Sequence, residues 1–388
     1  MSSNENRHQV VRSSPALQAS RARPGRLACL CDGVDAPEDD SGRHTANIVL
    51  LAAGFAFSVL SLILTLGMLP LIGGMYAPRS SLGSLPFAAF FVGAMAASVP
   101  ASFLLDSFGR RAAFALGASL GVAGGLILAW GLLHSQFQAI VLGAFWLGIA
   151  NGFGLFYRHA AAGLGLSGRR NAVSILFGAG AVVGLVAPSL AVFAENLAPS
   201  TFVGSALLAA LAHVGALALA VALPARRVLP VEGGAATLSW RKAFIPTVIG
   251  TFAWFLMTAL MSATPLAMVG CGFHGTDVTG AISWHVLAMY APALFVSRLP
   301  QGVSVWRIAF AGLTGLVAAI ILYLIGDSVF VFTLSLVCLG IGWSLSILAA
   351  TLLLYDSGTP SSVLLAAHDG ILLAGAILGA VAAGWIVI

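Results

Sequence analysis

The sequence predicts an all-α polytopic membrane protein, a two-half bundle of eleven transmembrane helices. Three observations lead there. Only 8% of the 388 residues are Asp, Glu, Lys or Arg, and 59% are apolar. An ordinary soluble domain carries about 25% charged and about 45–50% apolar residues, so too little polar surface exists here to cover a soluble chain. Uncharged runs of about 20 residues, the length that crosses a bilayer, recur along the chain after residue 44. A short pattern that closes the second run returns six runs later, which makes two halves.

Residues 1–44 read as a disordered cytoplasmic tail. "MSSNENRHQVVRSSPALQASRARPGR" has the Ser, Arg and Pro content of a disordered segment. No apolar stretch precedes a cleavage site, which argues against a signal peptide. The tail holds six arginines and six acids, so the net charge of +5 belongs to the membrane part. That placement argues against nucleic acid as a partner. Cys29 and Cys31 form a Cys-x-Cys pair that could grip a metal, but two reduced cysteines in a loose tail is the simpler reading. Cys271 and Cys338 stand alone in apolar sequence, so no disulfide framework is expected.

The uncharged runs cover roughly 46–73, 84–105, 112–134, 138–160, 171–194, 201–223, 243–269, 279–297, 306–326, 329–355 and 362–388. Gly and Pro within them are tolerated by lipid-embedded helices, and the 45 glycines suit close helix packing. With the N-terminus in the cytoplasm, the inner loops receive Arg110, Arg111, Arg158, Arg169, Arg170, Arg226, Arg227, Arg241, Lys242, Arg298 and Arg307. The outer loops receive Arg79 alone, with Glu195, Asp277 and Asp327. Eleven basic residues against one is the bias expected of an inner-membrane protein in this orientation.

The second run ends in "VPASFLLDSFG" and the eighth in "APALFVSRLPQG". Each has Pro-Ala-x-Phe before a polar inner loop, and six runs separate them. The chain therefore divides into a half over 45–223, a cytoplasmic linker over 224–242 and a half over 243–388.

The stretch "SFLLDSFGRR" resembles the loop motif of the major facilitator superfamily, Gly-x-x-x-Asp-Arg-x-Gly-Arg-Arg. Ser102 and Ser107 depart from it; Asp106, Gly109, Arg110 and Arg111 match. A closer resemblance, over most of residues 47–388, is to bacterial facilitator permeases that include proposed riboflavin transporters. The similar stretches include "GLFYRHAAAG", "MTALMSATPLAMVGCGFH", "ISWHVLAMYAPALF" and "LGIGWSLSILAATLLL". Phe90, Gly163, Ser283, Ser344 and His368 stand where that group often has Gln, Asp, Gln, Asn and Asn. The resemblance implies a permease with a small organic solute, flavin-like, moving by alternating access. It also implies twelve spans. This chain supplies eleven, with the last absent, so a partner that supplies a helix is one candidate partner beside the solute and the bilayer.

Asp106, Gly109, Arg110 and Arg111 sit at the inner end of the second span. Gly109 permits a tight turn, and the arginines can pair with acids or helix C-termini nearby. They act either as topology signals or, as the resemblance implies, as a cytoplasmic latch between halves, with Arg158 a further member. Asp106 would then offset the acid missing at Gly163.

His285 lies mid-span, where an ionisable group is a functional-site candidate. It could bind the solute, relay a proton or bond a neighbouring helix. Trp284 could stack on an aromatic ligand or pack against lipid. Pro265 removes a backbone donor, and Thr264 and Ser262 could cap the broken ladder at a midplane site; a static kink is the alternative. Trp343, beside Ser344, joins His285, Trp284 and Thr264 as a substrate-cavity candidate. His213 reads as a packing histidine, and the glycines around Pro188 as close-packed helix surface.

Nothing matches Gly-x-x-x-x-Gly-Lys-Ser/Thr, which argues against an ATP-driven pump. No metal cluster or nucleophile triad is seen, so neither an enzyme nor a cofactor is expected. Two readings stay open: a secondary transporter, or a non-transporting degenerate or scaffold membrane protein lacking the last helix.

Overall fold

The computed structural model describes residues 40–164, 168–224, 239–300, 302–356 and 358–386. Twelve α-helices run through them: α1 (Asp40–Tyr76), α2 (Leu85–Ser107), α3 (Gly109–Leu133), α4 (Phe137–Leu155), α5 (Tyr157–Ala162), α6 (Arg169–Leu197), α7 (Val203–Ala222), α8 (Trp240–Gly270), α9 (Gly275–Arg298), α10 (Val305–Leu324), α11 (Val329–Asp356) and α12 (Ser362–Ile386). The short α5 continues α4 as one crossing. Among the described residues, eleven helices are therefore long and apolar enough to span a membrane. The tail with Cys29 and Cys31, and most of the linker with Arg226 and Arg227, lie outside the described residues.

Local chemistry sets the helix ends. Pro86 opens α2, where its missing N–H has no intrahelical acceptor to lose. Gly109 has φ +82° between α2 and α3, a left-handed conformation that a side chain would strain. Between α6 and α7, the Glu195 carboxylate accepts from the N–H groups of Phe202 and Ser205, each at 2.7 Å. It satisfies donors that a helix start leaves orphaned.

Lipid gives no hydrophobic reason for helices to associate, so close approach and hydrogen bonds carry the packing. A Cβ on Gly148 would overlap the Phe90 carbonyl, and one on Gly93 would overlap the Phe145 carbonyl. The backbones of α2 and α4 thus touch. Thr258 Oγ1 donates to the Ala376 carbonyl at 2.8 Å, joining α8 to α12. Ser335 Oγ donates to the Ala319 carbonyl at 2.8 Å, joining α11 to α10.

Helices α2, α3, α4 and α7 pack together, and α8 to α12 form a second set of neighbours. Two pairs make most of the contact between the first six spans and the last five, α2 with α12 and α6 with α9; α11 also touches α5 and α6. Counted by crossing, the second meets the eleventh and the eighth meets the fifth. Six spans separate the second from the eighth and the fifth from the eleventh, so each pair is the other with its partners exchanged. The repeated Pro-Ala-x-Phe stretch lies in the corresponding members, with Pro100 inside α2 and Pro292 inside α9. Helix order puts the ends of α2, α5, α7, α9 and α11 and the starts of α3, α6, α8, α10 and α12 at one face. That face carries Arg110, Arg158, Arg169, Arg170, Lys242 and Arg298 and is called the arginine end below.

Two sequence expectations change. Helix α8 runs unbroken through Pro265, and Thr264 Oγ1 is buried without a partner among the described residues. It therefore caps no broken ladder; a proline inside a continuous helix is the static alternative. Helix α9 begins at Gly275, four residues early, because His274 and Asp277 build a reciprocal cap at its start.

Candidate functional site

An aromatic cluster fills the middle of the bundle. Phe55 from α1 lies 5.7 Å from Phe177 of α6 and 6.2 Å from Tyr290 of α9, between ring centroids. Trp343 of α11 lies 5.2 Å from Trp254 of α8 and 6.3 Å from Tyr290, both edge to face. These are favourable aromatic separations and geometries. The five rings come from five spans on both sides of the linker, and they enclose a cavity of ≈ 20 Å³.

The same cavity is lined by polar groups with unmet needs. Asn151 Nδ2, Trp254 Nε1, Trp343 Nε1 and Arg158 Nε are buried and find no acceptor among the described residues. All four are donors. A buried donor left unpaired costs about 1–3 kcal/mol, so the residues that bear these four would gain from a hydrogen-bond acceptor. A volume of ≈ 20 Å³ is about the room one water needs. A solute must open it further, since small-molecule pockets run to about 300–1,000 Å³.

Below this cavity, toward the arginine end, lies a buried ionic node. The Arg158 guanidinium donates through Nη2 to Asp369 Oδ1 at 2.5 Å. The adjacent His159 places Nε2 3.2 and 3.1 Å from the two oxygens of the same carboxylate. Arg158 and Asp369 are 2% and 1% exposed, so the carboxylate depends on these partners. His368 Nδ1 is 2.8 Å from Thr247 Oγ1 on α8, and the Tyr355 hydroxyl donates to the His159 carbonyl at 3.3 Å. Short α5 makes the node possible. Helix α4 stops at Leu155, and the chain restarts at Tyr157, aiming both Arg158 and His159 at α12.

The node is a partition. Arg158 lines the central cavity. His159 lines a second cavity of ≈ 190 Å³ at the arginine end, with Asp106, Arg110, Gly163, Tyr355 and Ser362. Asp369, held by both, stands between the two.

Further bonds close the arginine end. Ser102 Oγ donates to the Ser362 carbonyl at 2.6 Å. Arg169 donates through Nη1 to the Tyr355 carbonyl at 2.9 Å and reaches Asp356 at 3.5 Å. Arg170 donates to the carbonyls of Pro300 at 3.2 Å and Val303 at 2.5 Å. Each bond ties the first six spans to the last five.

The structure sorts the residues singled out from sequence. Trp343 lines the central cavity, and Arg158 lines both cavity and node. Asp106 does not take up Arg158: it is exposed and makes no hydrogen bond among the described residues. The acid that meets Arg158 is Asp369, because α12 packs along α2 and brings its first turns against α5. Gly109 and Arg110 line the arginine-end cavity, and Arg111 is exposed. His285 is fully buried and its Nδ1 donates to the Leu336 carbonyl of α11 at 2.6 Å; it bonds a neighbouring helix. Trp284 is 60% exposed on the outside of the bundle, away from the cavity it was expected to line. Thr264 is not among the cavity lining. Sequence reasoning missed Phe55, Asn151, Phe177, Trp254 and Tyr290. Each is one ring or amide on one span, and no local pattern marks it.

The described residues form eleven membrane-length helices with a central cavity between them, and comparison with known proteins assigns the class. No family model matches the chain. Over 332 residues it is 30% identical to the riboflavin transporter RfnT of Brucella anthropi, covering 83% of each chain. Over 358 residues it is 25% identical to YddS of Bacillus subtilis, an uncharacterized MFS-type transporter, covering 84% of this chain and 81% of that one. Among solved structures, the human organic anion transporter MFSD10 superposes with TM-score 0.66 at 16% identity, covering 91% of this chain and 93% of that one. The chain belongs to the major facilitator superfamily, in the group of bacterial permeases that includes the Brucella riboflavin transporter. It is a multi-pass membrane protein and a secondary transporter rather than an enzyme.

Proposed function

We propose that the chain moves a planar, acceptor-rich aromatic solute of the flavin class across the bacterial inner membrane. Residues 45–223 and 243–388 act as two halves, joined by the linker 224–242, that rock about the central cavity. The N-terminus and the arginine end face the cytoplasm, as the bias of Lys and Arg supports. The observation that carries the reading is the cavity itself: five aromatic rings, with four donors on its lining residues that have no acceptor among the described residues. Stacking surfaces suit a flat conjugated ring, and N–H groups suit the carbonyl and imine acceptors along its edge. The relative named a riboflavin transporter supports the same class.

In this reading the structure stands closed at the cytoplasmic face. The latch includes Arg158 with Asp369, Arg169 with Tyr355, and Arg170 with Pro300 and Val303. Alternating access requires these bonds to part.

The test is uptake and efflux of labelled riboflavin, with other flat heterocycles as competitors, in cells lacking their own flavin carriers. Signal in one direction, lost in Trp343→Ala at equal membrane abundance, supports the reading. Absence of transport across the panel in both directions would overturn the flavin reading.

A further inference from the structure

We infer that the arginine end binds the headgroup of an anionic phospholipid, in a third cavity at the starts of α6, α8 and α10. The inference uses the membrane placement of the helices and stands apart from the identity of the solute.

The cavity measures ≈ 430 Å³, within the range of about 300–1,000 Å³ that small-molecule sites occupy. Arg170 of α6, Lys242 of α8, Ser304 and Trp306 at the start of α10, and Asp356 at the end of α11 are among its lining. It therefore stands at the ends of four spans, at the level where phospholipid headgroups lie.

Charge favours an anion there. Asp356 is the acid among those residues, and Arg169 already stands 3.5 Å from it. Arg170 gives Nη1 and Nη2 to the carbonyls of Pro300 and Val303. Those oxygens hold the side chain but carry no charge to balance its own. Lys242 is exposed and has no hydrogen bond or ion pair among the described residues. Arg241 and Arg307, in the first turns of the same α8 and α10, are exposed as well, and neither helix has an acid in its first turn. Each such cation near a membrane surface strengthens the hold on anionic lipid about fivefold.

The neighbouring surface fits the rest of a lipid. Trp240, Phe244 and Val248 are exposed at i, i+4 and i+8 of α8, and Trp306 and Phe310 at i and i+4 of α10. That spacing lines each set along one helix face. A tryptophan stands at the arginine end of each face, and apolar side chains lead away from it. Tryptophan at the interface with hydrocarbon-facing residues beyond it is the order of a membrane boundary. A soluble anion could use the cations but would gain nothing from these apolar faces, so the phosphate belongs to a lipid. Arg170 comes from the first six spans, and Lys242, Ser304 and Trp306 from the last five, so the headgroup sits between both sets.

The experiment uses purified full-length chain in detergent, with the four native cysteines replaced by alanine. The reporter is Ile245→Cys, at a half-exposed residue of the cavity lining. The probes are dioleoylphosphatidylglycerol, dioleoylphosphatidylcholine and inorganic phosphate, and the readout is the rate of maleimide labelling. At ten times its Kd, phosphatidylglycerol should slow labelling about tenfold, because only the empty site reacts. The same concentration of phosphatidylcholine or inorganic phosphate should not. Leu197→Cys, exposed at the far end of α6, should label at one rate throughout. Half-protection should need about fivefold more phosphatidylglycerol in Lys242→Gln and return to the parent's value in Lys242→Arg. Arg79→Gln, which removes one exposed charge from the opposite end, should leave it unchanged. Equal protection by phosphatidylcholine, or a response to Lys242→Gln no larger than to Arg79→Gln, would overturn the site. Protection by inorganic phosphate at the same concentration would assign the cations to a soluble anion and overturn the lipid.

Discussion

Arg158 and Asp369 are 211 residues apart in the chain and meet at 2.5 Å in the buried middle of the junction. The pair is the polar centre of the molecule, and its behaviour is open to measurement.

Asp369→Leu alone leaves the Arg158 charge buried without its carboxylate. Breaking a buried pair in this way costs about 3–5 kcal/mol. Replacing both partners by apolar residues of similar volume, Arg158→Met with Asp369→Leu, is expected to recover most of that loss. Thermal unfolding followed by gel filtration should show a large drop in the single variant and a smaller one in the double. Transport should be lost in both.

Trp343→Phe keeps an aromatic ring in the cluster and deletes the unpaired Nε1 donor. One hydrogen bond is worth about 0.5–1.5 kcal/mol net, so KM for riboflavin should rise between about twofold and tenfold. Abundance and Tm should hold. A fall in Tm with unchanged KM would assign Trp343 to packing alone.

The two outcomes differ in how visible they were from sequence. The spans were legible because bilayer thickness and composition fix them locally: each run announces itself within about 20 residues. Gly109 was legible as a turn for the same reason. The partner of Arg158 was not. Asp106 is the nearer acid in sequence and sits in a recognisable motif, yet α12 delivers Asp369 instead. Helix crossing decides that choice, and crossing leaves no mark in a single sequence. The aromatic cluster escapes for a related reason. Phe55, Phe177, Trp254, Tyr290 and Trp343 each look like ordinary apolar residues until five helices meet.

His285 tests where sequence reasoning pointed to chemistry and the structure points to packing. Its Nδ1 bond to Leu336 ties α9 to α11. His285→Ala removes that bond and leaves a void; the Leu336 carbonyl keeps its place in the α11 ladder, so the bond itself accounts for a loss of about 0.5–1.5 kcal/mol. Riboflavin KM in the surviving folded protein should match the parent. Trp284→Ala, on the outside of the bundle, should change neither.

Gly148→Ala tests the contact of α2 with α4. The added methyl meets the Phe90 carbonyl and its Cα, which are backbone and cannot swing aside. Overpacking of this kind costs about 1–3 kcal/mol. A lower Tm with retained transport is expected, and a Tm equal to the parent's would show that the two helices separate freely.

The arginine end has one more consequence. Its donors are largely side chains of the first six spans, Ser102, Arg169 and Arg170, while their acceptors on the last five are mostly backbone carbonyls of Pro300, Val303, Tyr355 and Ser362. A carbonyl survives nearly any replacement of the residue that bears it. Saturation mutagenesis should therefore be lopsided: intolerance concentrated on a few early positions, and broad permissiveness at the late ones they hold. Among the described residues, Asp356 and Asp369 are the late acceptors that use side chains, and Asp369 is the buried one.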